Sequence, residues 1–386
     1  MGTDKEKETT KRTFLLRNTV KTQISSGITR NNCESENISH KTTIHAMVNI
    51  SLIGLGQRGQ ATLNRLKFLP NANVIVKCDI DTDWREAATH PEVDLVWICT
   101  PWEWHLRMAT TAMQAGKDVA LEVPAAMTVA ECEKLVSVAR ETGRHCVMLE
   151  NCCYDTWHLG VREIIRQGIL GRVKHIEGAY AHSLQEGWMR SYSRRHAGNP
   201  YPTHAIGPMC QLLPPGDTLD FLVSLSSPIP GDHINTSLIK SVAGVSLLLH
   251  YDISTPRPYS RMQTVCGALG FLQKYPIPTV QIERKTGNVL LSGEEAERYV
   301  ESFIPQRFQT MIEEGKSLGV PNVMNYMMDR SLLESIEKIH QARTLNAEEP
   351  DVLDMDVYDA ALWSSVIELT EKSVNNGSTP VRFPRF

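Results

Sequence analysis

Val48-Asn49-Ile50-Ser51-Leu52-Ile53-Gly54-Leu55-Gly56-Gln57-Arg58-Gly59 is the stretch on which the fold turns. Its first six residues read as a short buried strand, its glycines follow at G-x-G-x-x-G spacing, and a helical apolar pattern runs from Ala61 to Leu69. A second strand, Val74 to Cys78, ends at Asp79, 20 residues beyond Gly59. In that context Gly54 allows a tight turn, Gly56 lets the backbone approach a pyrophosphate, and Gly59 lets the helix sit close to the strand. The helix N-terminus then presents amide dipoles to the phosphates. Asp79 would take the ribose 2′-hydroxyl and repel a 2′-phosphate, so the expected cofactor is NAD and not NADP.

Working outward, Val93 to Cys99 reads as a third strand leading into Thr100-Pro101-Trp102-Glu103-Trp104-His105, followed by a helix from His105 to Ala115. Asp118 to Leu121, a helix over 128–142 and Cys146 to Leu149 continue the alternation, which predicts an α/β doubly wound parallel sheet of Rossmann type. Only the eleven residues 80–90 separate Asp79 from Pro91, fewer than the dozen or so that a full crossover needs. The unit after the second strand is therefore abbreviated, without room for both a helix and an edge strand. Beyond Asn151 a helix over Val161 to Gln167 and strands at Val173 to His182, Leu238 to Lys240, Ser246 to Asp252 and Met262 to Gly267 predict an α+β domain with one open sheet. Helices from Glu294 to Leu318, Asn325 to Ala342 and Val357 to Asn375 close the chain and are expected to pack back. The domains expected are a disordered extension at 1–47, an NAD-binding Rossmann domain at 48–165 and a substrate-binding domain at 166–386.

Composition excludes several classes of function. Forty Lys+Arg against 44 Asp+Glu give a net charge of −4, and the pI of about 6.4 leaves no electrostatic footprint for nucleic acid. Mean hydropathy is −0.25 and no apolar run reaches ~18 residues, so no membrane-spanning helix is expected. The nine cysteines lack C-x-x-C spacing, which argues against a zinc site and a disulfide framework. His105, His182 and His196 have no metal-ligand spacing either, so no metal is predicted. Thr10-Lys11-Arg12-Thr13-Phe14-Leu15-Leu16 is faintly like a twin-arginine signal, but Arg17-Asn18-Thr19-Val20-Lys21 supplies no apolar region after it. Asn37-Ile38-Ser39 is a glycosylation sequon, which matters only in a eukaryotic secretory context. The balance leans to a cytoplasmic protein with a small-molecule partner, its oligomeric state open. Glu348-Glu349 reads as a solvated face, and Asp356 to Ser364 as helix that packs the domains together.

Ala120-Leu121-Glu122-Val123-Pro124-Ala125-Ala126-Met127-Thr128 resembles the Gfo/Idh/MocA superfamily of dinucleotide-dependent sugar enzymes. Ordinary dehydrogenases of that superfamily carry Glu-Lys-Pro here; Val123 replaces the lysine and cannot move a proton. The chain is more similar to glycoside hydrolase family 109, the NAD-dependent α-N-acetylgalactosaminidases. The likeness runs through Leu149-Glu150-Asn151-Cys152-Cys153-Tyr154-Asp155, Glu177-Gly178-Ala179-Tyr180, Tyr201-Pro202-Thr203-His204, Gly207-Pro208, Thr255-Pro256-Arg257-Pro258-Tyr259-Ser260-Arg261 and Asp356 to Ser364. Besides Gly54 and Gly56, the resemblance implies cofactor contacts at Gln57, Arg58, Asp79, Trp102, Glu103, Trp104, His105, Glu122, Val123, Asn151 and Ile206. For the sugar it implies Tyr180, Tyr201, Pro202, Thr203, His204 and Tyr259. It also implies an arginine directly after a tryptophan; in Trp188-Met189-Arg190 that residue is displaced by one, and its role is carried to Arg190. The stretch between Ser226 and Asn235 is shorter than is usual in such proteins.

Direct hydrolysis would need two carboxylates flanking the glycosidic bond, whereas the matched segments offer His and Tyr. The resemblance implies instead hydride removal from C3 of the sugar, loss of the C2 proton, elimination at C1, addition of water and return of the hydride, with configuration retained. His204 and Tyr201 are the candidate catalytic residues, since an imidazole titrates near neutral pH without a large shift. A satisfied core histidine is the competing reading of His204. Tyr180 and Tyr201 are placed to hold sugar hydroxyls, Tyr259 to stack on the ring, and Trp102 and Trp104 to flank the nicotinamide end. Pro256 and Pro258 stiffen the loop around Arg257. Two alternatives stay open: an NAD-dependent sugar oxidoreductase that releases a ketosugar, and a non-catalytic nucleotide- or sugar-binding relative.

Overall fold

In the computed structural model, which describes residues 47–183 and 196–386, strand β1 (Val48–Ile53) is covered on both faces. Val48, Ile50, Leu52 and Ile53 are all at or below 1% exposure, as a parallel strand between two helix layers requires. Helix α1 (Gln57–Leu66) starts directly after Gly56, earlier than the apolar pattern suggests, because its polar first turn faces outward. Strand β2 (Ala72–Cys78), helix α2 (Trp84–Thr89) and strand β3 (Leu95–Ile98) follow. A 3-10 turn at Trp102–Trp104 opens into α3 (His105–Gln114), then β4 (Asp118–Leu121), α4 (Val129–Thr142) and β5 (Cys146–Met148). Helix α4 begins in a capping box of Thr128 and Glu131 and stops at Gly143, whose φ of 62° only glycine adopts freely.

The five strands are parallel in the order β2-β1-β3-β4-β5. The short crossover holds the six-residue α2 and no strand, so β2 is left as the sheet edge, as the spacing from Asp79 to Pro91 predicts. Strand order reverses between β1 and β3, and the crevice at their carboxyl ends is where such folds take a ligand.

Past a 3-10 turn at Asn151–Tyr154 comes α5 (Thr156–Arg166), which begins five residues before the predicted Val161 because Asp155 caps it by accepting from the His158 amide. Strand β6 (Val173–Ala181) and helix α6 (Thr203–Cys210) precede the long strands β7 (Leu219–Ser226), β8 (Ile234–Ser241) and β9 (Ser246–Asp252). Four short strands follow: β10 (Thr264–Gly267), β11 (Gly270–Gln273), β12 (Thr279–Ile282) and β13 (Val289–Ser292). The predicted helix from Glu294 to Leu318 is two helices, α7 (Glu294–Glu301) and α8 (Gln306–Ser317), since Pro305 cannot sit inside either and serves as the cap of the second. Helices α9 (Val323–Thr344) and α10 (Val357–Asn375) precede β14 (Val381–Arg382). The second sheet is mixed, in the order β13-β12-β11-β10-β6-β9-β8-β7-β14, with only β6 and β9 paired in parallel. No described helix is long and apolar enough to cross a membrane.

Helix α10 does bind the layers together. Ser364 Oγ accepts from the Ala125 amide at 3.0 Å, Glu368 Oε2 accepts from the Val129 amide at 2.6 Å, and Trp363 is 1% exposed. Two buried ion pairs do the same for α9. Arg65 of α1 meets Asp329 at 2.7 Å, and Asp118 at the foot of β4 meets Arg343 at 2.6 Å and His340 at 2.8 Å. Burial would raise the Asp118 pKa, but those partners outweigh it and hold it at about 2. Glu349, expected on a solvated face, instead pairs with Arg343 at 2.7 Å and His145 at 2.8 Å. The eight described cysteines are free thiols.

Candidate active site

The glycine turn shows three different reasons for having no side chain. At Gly54, φ is +95° and a Cβ would lie 2.7 Å from the Cys99 carbonyl; at Gly59 it would lie 1.8 Å from the Gly54 oxygen, so α1 rests directly on the turn. At Gly56 a Cβ would meet nothing within 4 Å, so the space in front of the first turn of α1 is open, and no side chain caps that turn. Open space before uncapped amides fits a dinucleotide pyrophosphate. Arg58 reaches from α1 to Glu122 at the end of β4, with Nε 2.8 Å from Oε1. Gln57 and Asp79 lie exposed, Asp79 at the end of β2.

Across the crevice, the last turn of β5 leads to Glu150, a fully buried carboxylate that the sequence reading did not single out. Its Oε1 accepts from the Cys152 amide at 3.1 Å and lies 2.7 Å from Nδ1 of His204, the second residue of α6. Nε2 of His204 lies 2.9 Å from the Tyr201 hydroxyl. Tyr201 stacks on Trp102 with centroids 5.9 Å apart and an interplanar angle of 12°. Tyr180 of β6 meets Tyr201 edge-on at 5.1 Å and Tyr259 at 6.3 Å, making an aromatic wall. Behind Tyr259, Asp155 is held between Arg261 at 2.5 Å and Lys274 at 2.7 Å, which fixes the loop that carries it.

The electrostatics correct one expectation. Burial works against a charged His204, but Cys152 and the Glu150 carboxylate more than offset it and push the pKa up to about 10. Burial would raise Glu150, yet His204 and the hydrogen bonds around the carboxylate hold it below the usual range. Desolvation pushes Tyr180 up to about 12 and raises Tyr201 further. At neutral pH the group is therefore an imidazolium–carboxylate pair beside neutral phenols, and not an unshifted imidazole. The signal for Glu150 was available in principle: an acid at the carboxyl end of a parallel strand faces the crevice.

Other residues singled out from the sequence lie deeper. His105 is fully buried, with Nδ1 2.8 Å from the Pro124 carbonyl and Nε2 3.0 Å from the Thr100 carbonyl, so its ring joins the ends of β3 and β4. Val123, Pro202, Thr203 and Ile206 are buried behind the crevice. Asn151 donates to Asn325 Oδ1 at 2.6 Å. Glu103 and Trp104 are exposed, and Trp104 turns toward Arg107, 5.8 Å from its ring, so of the two tryptophans Trp102 alone joins the aromatic wall. Arg190 and the extension at 1–47 lie outside the described residues. His182, weighed in the sequence only for metal-ligand spacing, stands 5.5 Å from the Tyr259 ring, with a buried Nδ1 that has no hydrogen-bond partner among the described residues.

Residues 28–150 match the family described as an oxidoreductase family with an NAD-binding Rossmann fold, and residues 229–386 match the C-terminal domain of glycosyl hydrolase 109. A glycosyl hydrolase family 109 protein of Phocaeicola vulgatus is 39% identical over 402 residues, covering 88% of this chain and 94% of its own. An alpha-N-acetylgalactosaminidase of Bacteroides fragilis is also 39% identical, covering 88% and 92%. Among solved structures, levoglucosan dehydrogenase in complex with NADH superposes with a TM-score of 0.67 at 15% identity, over 88% of this chain and 100% of that one. An inositol dehydrogenase homologue of Azotobacter vinelandii, complexed with NAD+, gives 0.66 at 16%, over 88% and 98%. These two likenesses establish the shared fold.

Proposed function

The chain belongs to glycosyl hydrolase family 109 and is an NAD-dependent glycosidase, and from that premise we propose that it releases terminal α-linked N-acetylgalactosamine by a redox-neutral route with retained configuration. The observation that carries this reading is the Glu150–His204–Tyr201 relay, which stands across the crevice from the open glycine turn. The relative named alpha-N-acetylgalactosaminidase supports the substrate class.

NAD held in the crevice would supply reversible hydride acceptance at C3 of the sugar. Gly54, Gly56 and the first turn of α1 would hold the pyrophosphate, Asp79 the ribose, and Arg58 with Glu122 the floor between them. A ketone at C3 acidifies the C2 proton, whose loss lets the C1 substituent leave with a proton; water then adds across the double bond, its hydroxyl to C1 and a proton to C2. Protons for these steps move at Tyr201 Oη and His204 Nε2, 2.9 Å apart, while the Glu150 charge holds the imidazolium. Trp102 fixes the plane of the Tyr201 ring, and Tyr180 with Tyr259 provides the apolar wall for the sugar. The crevice carboxylates Glu122 and Glu150 are both engaged with cationic partners, which disfavours direct two-carboxylate hydrolysis.

The test is cleavage of a chromogenic α-N-acetylgalactosaminide by the purified protein with no NAD added. Repeated turnover is expected, together with loss of cleavage in His204→Ala. A single turnover that stops with reduced cofactor would make the protein a sugar oxidoreductase.

A further inference from the structure

We propose that Glu150, Cys152 and His204 form a three-ligand site for a soft divalent cation such as Zn2+, and that an ion seated there arrests turnover. A carboxylate oxygen, the Cys152 sulfur and a ring nitrogen of His204 all lie within 4.8 Å of one another. Glu150 is 0% and Cys152 3% exposed, while the His204 side chain is 14% exposed. A second observation marks the place: Glu150 Oε2 is buried with no hydrogen-bond partner among the described residues, although Oε1 already faces His204 and the Cys152 amide. An unsatisfied buried carboxylate oxygen is costly, and a cation would satisfy it.

Zinc accepts each of these donors, a thiolate sulfur, an imidazole nitrogen and a carboxylate oxygen, and three protein ligands leave a fourth position open. Bonds of about 2.0–2.3 Å in a tetrahedral centre put ligand atoms roughly 3.3–3.8 Å apart, so seating an ion takes about an ångström of side-chain movement, with the 2.7 Å contact between Glu150 Oε1 and His204 Nδ1 opening as it enters. Glu150 and Cys152 are preset by the turn at Asn151–Tyr154, where the Cys152 amide is bonded to the carboxylate it would share an ion with. His204 arrives from α6, 52 residues beyond Cys152, which is why chain spacing carries no metal signature. Arg261, whose charge interacts with Cys152, is also paired with Asp155 at 2.5 Å, a carboxylate it shares with Lys274.

The balance is simple. Zn2+ enters, the Cys152 thiol proton and one proton of the His204–Glu150 pair leave to solvent, and nothing is oxidised or reduced. Carboxylate and thiolate then offset the 2+ charge, and the fourth position is left for water. The nitrogen that takes the ion no longer carries a proton. The arrest rests on the proton-transfer role given to His204 above; the binding does not.

The test titrates Co2+ into the NAD-loaded protein. A thiolate-to-cobalt charge-transfer band in the near ultraviolet is expected, with Zn2+ displacing Co2+. Cys152→Ser and Cys152→Ala should lose the band and weaken Zn2+ binding by about 100-fold or more, since disturbing even the partners of metal ligands costs 10–100-fold. Cys153→Ser should keep both, and NAD retention reports that each variant is folded. Zn2+ should stop cleavage by wild type and EDTA should restore it. No band in wild type, or equal Zn2+ affinity in the Cys152 variants, would overturn the proposal. A band with undiminished cleavage supports the site and counts against His204 as the proton carrier.

Discussion

Glu150 Oε1 and His204 Nδ1 stand 2.7 Å apart, joining a fully buried carboxylate beyond β5 to a ring on the first turn of α6. The two charges sustain each other, with His204 raised to about 10 and Glu150 lowered. Cys152 and the Glu150 carboxylate together hold His204 up against burial, so Glu150→Gln removes one of the two supports and the His204 pKa falls. The alkaline limb of the kcat/KM profile should move to lower pH, and kcat should drop by about 10²–10⁴-fold if proton transfer is impaired. Retention of NAD should be unchanged, which pH–rate profiles together with cofactor analysis would check.

The same pair sets a stability window. A raised histidine pKa contributes stability that is complete below 6.5 and is lost as pH rises through about 10; a lowered glutamate pKa contributes stability present above 4.5 and lost as pH falls. Thermal melts should therefore show the largest gap between wild type and Glu150→Gln between about pH 4.5 and 6.5, with the gap narrowing on either side.

Tyr201→Phe keeps the ring that stacks on Trp102 and removes only the hydroxyl 2.9 Å from His204. Hydrogen bonds to charged groups are worth about 1.5–3 kcal/mol, so kcat should fall by roughly 10–100-fold. Circular dichroism and NAD content should match wild type. A variant that cleaves at the wild-type rate would remove the phenol from the relay.

The glycine turn separates binding from folding. Gly59→Ala drives a Cβ to 1.8 Å from the Gly54 oxygen and should cost the protein its fold or several degrees of Tm, whereas Gly56→Ala meets no protein atom within 4 Å. Gly56→Ala should melt like wild type and yet retain much less NAD, because its methyl group projects where the backbone must approach a pyrophosphate. Calorimetry on cofactor-stripped protein distinguishes the two.

The parallel sheet was legible because β3 is a continuous apolar run, β1 is apolar at four of its six residues, and Gly54 and Gly59 sit where backbone sterics demand glycine. The edge position of β2 followed from counting residues between Asp79 and Pro91. Strands β11, β12 and β13 were not legible, since four residues hold too little alternation to register. In the site, His204 and Tyr201 stood out through the Tyr-Pro-Thr-His segment. Glu150 was hidden because its partner lies 54 residues away, and a pKa depends on neighbours that only the fold assembles. The pairing of Glu349 with Arg343 and His145 escaped for the same reason.

Asp118 tests the frame independently of chemistry. Its pKa, held at about 2 by His340 and Arg343 against burial, contributes stability that is present above 3.8 and is lost as pH falls through about 2. Asp118→Asn leaves Arg343 and His340 without their buried partner and should cost about 3–5 kcal/mol at neutral pH. Urea melts at pH 7 and pH 3 should show that cost shrinking in acid.

Transient oxidation of the sugar at C3 exchanges the C2 hydrogen with solvent. The direct measurement is mass and proton spectra of N-acetylgalactosamine released in heavy water by the protein with its own NAD. One deuterium at C2 with retained anomeric configuration is the predicted result. Released sugar carrying no deuterium on carbon would contradict it.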